Sequence, residues 1–420
     1  MKKFIEKLVD VVVGFVTDLV NIITGRGPFR PRWDWQQVSD PSAPSNGDID
    51  DLIKAYMQQH SVKAGQLSLF VDGVLRISSA YTWGESDYPV TRLDSVMRVA
   101  SCSKAFTTAA ILDLLAPSSG SPPTLRFDDK VFDILFPNDP PDPVDIKVKN
   151  ITVQHLLEHT GGWNYRSGPS ALSDWVFHLK SIGRHFGMHT PPEKKDFARF
   201  VLCDIHLDFD PGTRPNEFFT LPGRPTKKMD TYSNIGYVLL GMIVDEKSST
   251  YIDHLNTNIL SPISINDVAV GKTREADLQS NETKYESEGW GPDATIDPYN
   301  PKTARLPYGG DGSRKELMDS GGGLIMSANS LARFISQNNV FLETLDTGNI
   351  VGQKGRTTAN RQGMMPGTQA VADSFKGKSN HYDMAVIFNR QDVSKTDPGD
   401  HSNDFDRLVR HLEDAIRDVL

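Results

Sequence analysis

The stretch RVASCSKAFTTAAILDLL (residues 98–115) decides the fold and carries the clearest chemical signal in the chain. It predicts a helix that begins at Ser101, because small and apolar residues follow that serine without a Gly or Pro interruption. Residues three positions apart on a helix share a face, with Cβ atoms about 5–6 Å apart, so Lys104 is within reach of Ser101. A desolvated amine can take the proton that keeps a serine hydroxyl from attacking a carbonyl. The spacing therefore predicts a serine nucleophile at Ser101 with Lys104 as its proton-handling partner.

A second motif, Tyr232-Ser233-Asn234, stands directly before the apolar run IGYVLLG. On a non-helical loop, a Tyr and an Asn two positions apart point the same way. A phenol beside an ammonium group can be held as phenolate and act as a base, and an amide can hold a substrate carbonyl. We predict that Tyr232 and Asn234 join Ser101 and Lys104 in one site.

Strand signals concentrate at the two ends of the chain, and helix signals lie mainly between them. Asp72 and Gly73 between two β-rich runs indicate a hairpin of Gln66–Val71 and Val74–Tyr81. Later strands are predicted at Gly322–Met326, Gln369–Phe375 and His381–Arg390, and helices at 48–60, 101–115, 152–158, 194–203, 235–247, 251–260 and 403–420. We therefore expect an α+β fold, in which an antiparallel sheet is flanked by the terminal helices and joined to a mostly helical domain.

The expected domain organisation is discontinuous. Residues 48–100 and 310–420 would form the sheet domain, and residues 101–309 the mostly helical domain with insertions. Residues 1–47 are expected to be an N-terminal amphipathic helix and a linker. A cleft between two such domains is the usual place for a small-molecule site.

The N-terminal segment 1–25 is apolar at helical spacing, and Glu6, Asp10 and Asp18 interrupt it. We expect an amphipathic helix that docks on the domain or on a partner, rather than a signal peptide or a spanning helix. Membrane-surface binding and self-association through this helix are alternatives that the sequence leaves open. Residues 26–47 contain four prolines among small and polar residues, which favours a linker or a surface strap.

The net charge and the number of cysteines exclude some classes of protein. With 45 basic and 54 acidic residues the formal net charge is −9, which argues against nucleic acid as a partner. Cys102 and Cys203 are too few for a disulfide framework and are typical of a reducing, cytoplasmic compartment. We expect Cys102, beside the nucleophile, to be a buried packing residue.

Six stretches, taken in order, resemble the serine β-lactamase and D-Ala-D-Ala carboxypeptidase superfamily of penicillin-binding proteins. The resemblance is closest to its class C branch and to the family VIII esterases and acyltransferases. The stretches are RVASCSKAFTTAAILDLL (98–115), ITVQHLLEHTGGW (151–163), DPGTRP (210–215), YSNIGYVLLGMIVDE (232–246), SGGGLIMSANSLARF (320–334) and MMPGT (364–368).

This resemblance implies a β-lactamase/transpeptidase-like fold and a division of roles. Ser101 would be acylated, Lys104 would be its base partner, and Tyr232 would serve as general base for attack and acid for the leaving group. Asn234 would orient the substrate. The oxyanion hole would combine the N–H of Ser101 with one from the late strand near Gln369–Val371.

The third motif departs from the family pattern. Where the family has Lys/His-Thr/Gly-Gly, this chain has Arg361-Gln362-Gly363. Arg361 keeps a positive charge that suits bidentate binding of a carboxylate, and we place it with Gly363 among the substrate-binding residues. The alternative is an exposed Arg361 and no carboxylate pocket. Either way, β-lactamase and transpeptidase activity become less expected, and the departure favours ester or thioester substrates, for example secondary metabolites.

Aromatic residues are frequent in the segment between HTGG and YSN. Some of them would wall an apolar substrate pocket, whereas the simpler interpretation is that they form the core of the helical domain. They are Trp163, Tyr165, Trp175, Phe177, Phe186, Phe197, Phe200, Phe209, Phe218 and Phe219.

His155 and His159 match the H-x-x-E-H spacing of a zinc site, but no third ligand stands out. The resemblance instead gives this segment a structural role, in which the histidine braces a loop. We expect no metal and no organic cofactor.

Three functions therefore stay open. The leading one is a serine hydrolase or acyltransferase that acts on a small-molecule ester, thioester or amide, with water or an alcohol as acceptor. The alternatives are a D-amino-acid peptidase or carboxypeptidase that binds a terminal carboxylate at Arg361, and a non-catalytic scaffold of the same fold.

Overall fold

The structure is a computed structural model that describes residues 33–117, 119–138, 140–164, 175–215, 218–219, 227–228, 231–286, 290–292, 303–305, 313–338, 359–391 and 404–420. The amphipathic helix predicted for residues 1–25 lies outside these ranges. Within them, no helix is both long enough and apolar enough to cross a membrane.

The secondary structure is mixed, as an α+β fold requires. The strands are β1 (Trp33–Ser39), β2 (Ala64–Val71), β3 (Val74–Glu85), β4 (Met97–Arg98), β5 (Phe218–Phe219), β6 (Lys227–Lys228), β7 (Ala269–Val270), β8 (Trp290–Pro292), β9 (Thr303–Arg305), β10 (Leu324–Met326), β11 (Ala359–Met365), β12 (Thr368–Lys376) and β13 (His381–Phe388). The α-helices are α1 (Gly47–Gln59), α2 (Ser103–Leu115), α3 (Val131–Leu135), α4 (Val153–Leu157), α5 (Leu179–His185), α6 (Lys194–Arg199), α7 (Asn234–Lys247), α8 (Tyr251–His254), α9 (Ala328–Gln337) and α10 (Asp404–Val419).

The main sheet has six antiparallel strands in the order β1-β3-β2-β13-β12-β11. Side chains alternate between its two faces, so each strand contributes to two cores. Val371 and Val386 pack with the apolar faces of α1 and α10, including Ile53 and Leu412. On the other face, Ala370, Ala385 and Ile387 join a larger core with α2, α7 and α9. The sheet thus lies between the terminal helices and the helical part of the molecule.

Two strands of the main sheet differ from the sequence prediction. Trp33–Ser39 was expected to belong to a linker, but it forms the edge strand β1 along β3. Trp35 stacks on Tyr81 at 5.6 Å and Trp33 packs edge-on against Trp83 at 5.8 Å, so cross-strand aromatic pairs hold it. The prolines of this segment flank the strand and do not interrupt it. At the opposite edge, β11 was not predicted, because ANRQGMM contains no β-branched or aromatic residue.

The aromatic segment mostly forms core, as the simpler interpretation held. Trp163, Phe197 and Phe200 are buried in the helical part, and Trp175 and Phe186 pack against that core. The side chains of Tyr165, Phe218 and Phe219 lie outside the described residues.

Candidate active site

Ser101 lies on a short helical turn, Ala100–Cys102, that leads directly into α2. Ala100 has φ +46°, a left-handed conformation that costs a non-glycine residue about 1–3 kcal/mol. Such a strained corner persists only where its surroundings fix it, and here it carries Ser101 at the entry of α2. The regular α-helix starts two residues later than the sequence predicted.

Lys104 is fully buried, yet its ammonium group is surrounded by acceptors. Its Nζ donates to Oγ of Ser101 at 3.1 Å and to Oδ1 of Asn234 at 2.6 Å. A third bond goes to the carbonyl oxygen of Gly321. Burial of a cation is costly unless its donors are satisfied, so these partners fix the ammonium beside the serine.

Tyr232 completes the group around the serine. Its Oη lies 2.6 Å from Oγ of Ser101, and either oxygen can be the donor. Nζ of Lys104 lies 5.0 Å from the centre of the Tyr232 ring. Asn234 is the first residue of α7 rather than part of a loop, because Ser233 caps that helix by accepting the N–H of Gly236 at 3.0 Å. The structure therefore brings Ser101, Lys104, Tyr232 and Asn234 together.

His159 contacts both Tyr232 and the residue that follows it. Its Nδ1 accepts the backbone N–H of Ser233 at 3.0 Å, and its ring packs on those of Tyr232 and Tyr237 at 4.7 and 5.0 Å. Burial, followed by the charges of Lys104 and Arg361, lowers the pKa of His159 well below its usual value. The imidazole is therefore a neutral brace for the loop that carries Tyr232.

His155, the other histidine of the zinc-like pattern, has a different structural task. It forms a capping box with Thr152, in which Nδ1 of His155 accepts the N–H of Thr152 at 3.3 Å. In the part of the chain that the structure describes, no group of three or more His, Cys, Asp or Glu side chains is arranged to hold a metal ion.

Gly363 lies where the edge strand β11 crosses the turn that carries the nucleophile. A Cβ on Gly363 would overlap the carbonyl oxygen of Val99 and lie 3.0 Å from the backbone nitrogen of Ser101. Only glycine allows this approach. We predicted a substrate-binding role for Gly363 from the resemblance, and the structure gives it a packing role at the site.

The predicted second oxyanion donor was wrong. Residues Gln369–Val371 belong to β12, an interior strand that pairs on one side with β11 and on the other with β13. Their N–H groups therefore point into the ladders and are not available to a ligand.

The free edge of the sheet is β11, and its register identifies the outward-facing donor. Met365 and Thr368 flank the two-residue turn Pro366-Gly367 and so form a hydrogen-bonded pair. By the alternation of an antiparallel ladder, the N–H of Met364 points away from β12. It lies next to Gly363, which contacts the Ser101 backbone. The N–H groups of Ser101 and Met364 are the pair that the geometry offers for an oxyanion.

Arg361 is buried, with 4% of its surface exposed, so the alternative of an exposed arginine was wrong. Its Nε is buried and has no hydrogen-bond partner among the described residues. Its carbonyl accepts the thiol of Cys102 at 3.3 Å, which also shows Cys102 as a buried packing residue. Arg361 shares its face of β11 with Gly363, whereas Gln362 points to the opposite face and donates to Asp406 of α10.

Together these residues place an ammonium and a phenol within hydrogen-bonding distance of one serine hydroxyl. The Tyr232 hydroxyl is within reach of the Ser101 proton, and the edge strand next to the serine carries a buried cation. The combination defines a serine hydrolase site on an α+β fold.

Comparison with known proteins agrees with this class. The sequence model of the Beta-lactamase family matches residues 49–394, and the chain belongs to that family. It is 27% identical over 184 residues to penicillin-binding protein 4* of Bacillus subtilis (strain 168), a match that covers 44% of this chain and 32% of that protein. The matched stretches span no more than 40% of the length of the curated relatives.

Solved structures of similar fold include several hydrolases. A D-stereospecific amidohydrolase from Streptomyces sp. gives a TM-score of 0.54 at 17% identity, over 87% of this chain and 98% of that one. The D-amino acid amidase of Ochrobactrum anthropi SV3 gives 0.53 at 18%, over 88% and 99%. The D-alanine carboxypeptidase AmpC of Burkholderia cenocepacia gives 0.53 at 14%, over 88% and 98%. At these identities the likeness shows the fold, which is β-lactamase/transpeptidase-like as the sequence indicated.

Proposed function

We infer that the protein cleaves an amide or ester bond through an acyl-enzyme on Ser101, and that its substrate carries a carboxylate bound by Arg361. The observation that carries the second part is the buried guanidinium on the strand beside the nucleophile, with its Nε unsatisfied.

Acylation follows from the three side chains around the serine. Tyr232, 2.6 Å away, takes the proton of the Ser101 hydroxyl as its oxygen attacks the substrate carbonyl. The ammonium of Lys104 stabilises the phenolate that results, and the N–H groups of Ser101 and Met364 donate hydrogen bonds to the oxyanion. Tyr232 then returns the proton to the leaving amine or alcohol. Water repeats the cycle on the acyl-enzyme and restores the free serine.

The charge around the site supports an anionic substrate. The charges of Lys104, Arg361 and Arg214 all lower the pKa of His159, so three cations act on this one region. Burying a guanidinium nitrogen without an acceptor is unfavourable, and a carboxylate bound at Arg361 would supply the acceptor that Nε lacks. Arg–carboxylate pairs are also bidentate, which fixes the orientation of the scissile bond.

This proposal changes the order of the substrate classes that the sequence suggested. Neutral esters and thioesters gain no interaction from a buried Arg361, whereas a peptide with a free terminal carboxylate does. The names of the structural neighbours, which include amidases and a carboxypeptidase, favour amide bonds as well. We take water as the acceptor; transfer to an alcohol stays a prediction of the sequence.

Replacing Arg361 with Met tests the carboxylate. For D-amino-acid dipeptides with a free carboxylate, KM should rise about 10- to 100-fold, because charge-assisted hydrogen bonds contribute about 1.5–3 kcal/mol. For the same dipeptides as C-terminal amides, and for p-nitrophenyl butyrate, KM should stay within about twofold, a change too small to signal a lost hydrogen bond. Steady-state kinetics on the matched substrates gives both values.

Arg361→Lys is the matched control, since it keeps the charge and loses the bidentate geometry. Its KM for the free-acid substrates should lie between the values of the wild type and of Arg361→Met. Equal losses on free acids and amides would contradict the assignment of Arg361 to the carboxylate.

A further inference from the structure

A closed ring of hydrogen bonds and ion pairs adjoins the loop that holds the catalytic lysine. Nζ of Lys194 bonds Oδ2 of Asp319 at 2.6 Å and Oδ2 of Asp245 at 3.2 Å. Oδ1 of Asp245 accepts the N–H of Tyr251 at 2.6 Å, and the Tyr251 hydroxyl lies 2.7 Å from Oγ1 of Thr107. These bonds therefore connect the helices α2, α6 and α8 with the end of α7.

The loop of residues 318–323, which precedes β10, completes this ring. Thr107 donates to the carbonyl oxygen of Ser320 at 2.6 Å, and Oδ1 of Asp319 accepts the Ser320 N–H at 2.7 Å. Ser320 and Thr107 are fully buried, and Asp319 is 6% exposed. Lys194, at 23% exposure, is the cation that the two carboxylates share.

The next residue of this loop belongs to the active site. Gly321 follows Ser320, and its carbonyl oxygen accepts the Lys104 ammonium. Gly321, Gly322 and Gly323 all donate their N–H groups to the carbonyl of Met318, at 2.8, 2.9 and 3.0 Å, so the loop is a single tight turn. A shift of Asp319 or Ser320 therefore moves the acceptor that holds Lys104.

We propose that Lys194 is a positioning residue for Lys104, and that it acts through Asp319 and the Gly321 carbonyl. The proposal rests on the proposed function, since it concerns the lysine that serves Ser101. Lys194 touches neither the serine nor the site for the substrate. Its effect is to keep the loop in the one conformation that presents the carbonyl to the Lys104 ammonium.

The charges explain why a lysine is needed at this place. Burial raises the pKa of the Asp319 carboxyl, and the Lys194 ammonium opposes that rise. The pKa of Lys194 is itself raised by the two carboxylates, although burial works against it. Without Lys194, Asp245 and Asp319 would face each other with no cation between them, and one would have to take a proton or turn away.

Lys194→Met tests the proposal on the full-length protein. We expect the rate of acylation by p-nitrophenyl butyrate to fall about 10- to 100-fold, since small displacements of catalytic groups have effects of that size. The KM for the ester should change by less than about twofold, because uniform substrate binding is not involved. Lys194→Arg keeps the charge and should restore most of the rate.

Arg314→Met is a matched control on the adjoining surface. Arg314 is 22% exposed, and its Nη1 pairs with Glu193, the neighbour of Lys194, at 2.8 Å. The side chains of this ion pair have no bond to the 318–323 loop among the described residues. The substitution also keeps the Arg314 carbonyl, which accepts the N–H of Met318 at 3.1 Å, so loss of the ion pair should leave acylation unchanged. A general weakening of the surface would instead slow both variants equally, which would overturn the proposal.

Hydrogen exchange separates this proposal from the proposed function. The amides of Gly321–Gly323 should exchange about tenfold faster or more in Lys194→Met, and at the wild-type rate in Lys194→Arg and Arg314→Met, because exchange reports local opening of the turn. Unchanged exchange together with unchanged acylation would overturn the role of Lys194. If the wild type itself forms no acyl adduct, the proposed function fails, and the exchange rates alone decide whether Lys194 holds the loop.

Discussion

Lys104→Met is expected to slow the acylation of Ser101 by about a thousandfold or more, as loss of a general base or of a charge at the reacting group does. The Lys104 ammonium is fully buried and lies 3.1 Å from Oγ of Ser101. Met fills nearly the same volume but can neither donate a hydrogen bond to the Ser101 oxygen nor stabilise a Tyr232 phenolate. Stopped-flow release of p-nitrophenol from an activated ester measures the rate.

Thr108→Val is the control for this variant. Thr108 is buried on the same helix, and its hydroxyl lies 3.5 Å from that of Tyr237. It should acylate within about twofold of the wild type, because it changes no group that touches the reacting atoms. Wild-type acylation in Lys104→Met would show that the lysine has no part in activating Ser101.

Gly363→Ala is expected to be the second large effect. The added Cβ would overlap the carbonyl oxygen of Val99, a backbone atom that cannot rotate away. Either β11 or the turn that carries Ser101 must move, at a cost of about 1–3 kcal/mol or more in the free energy of unfolding. The same movement separates the N–H groups of Ser101 and Met364, so acylation should fall about 100-fold.

Urea unfolding and the acylation rate measure the two consequences separately. Gly47→Ala is the matched control, since nothing lies within 4 Å of the Cβ that it adds at the start of α1. It should be neutral or slightly stabilising, because alanine favours helix more than glycine does. A Gly363→Ala protein with wild-type stability and rate would contradict the close approach of β11 to the nucleophile.

Periodicity and turn residues were sufficient to predict most elements of the fold. The hairpin at Asp72-Gly73 and the terminal helix α10 lie within a few residues of the predicted bounds. The edge strands β1 and β11 were missed for physical reasons. β1 is stabilised by aromatic partners on β3, which its own sequence does not reveal, and β11 has little strand propensity of its own.

The site was predictable only where spacing fixes geometry. Ser101 and Lys104 are neighbours on one helix, so their distance follows from the sequence. The burial of Arg361 does not, because it depends on which face of β11 packs against the turn of Ser101. The oxyanion donor was misplaced for a related reason, since strand order and register are set by tertiary pairing that the sequence of one strand does not contain.

The role of His159 was predictable only in part. Its position in the HTGG segment indicated a bracing role through the resemblance, but the atoms that it braces became visible only in the structure. The stack on Tyr232 and the bond from Ser233 link the helical part of the chain to the tyrosine. A residue of this kind positions Tyr232 without touching the serine.

The most direct test of the account is the intact mass of the protein after brief incubation with p-nitrophenyl butyrate, run beside Ser101→Ala. Oγ of Ser101 lies 2.6 Å from Oη of Tyr232 and 3.1 Å from Nζ of Lys104. We therefore expect the wild type to gain the mass of one butyryl group and Ser101→Ala to gain none. Peptide mapping should locate the group on the peptide that contains Ser101. An equal adduct on both proteins, or no adduct and no p-nitrophenol release from the wild type, would contradict covalent catalysis by Ser101.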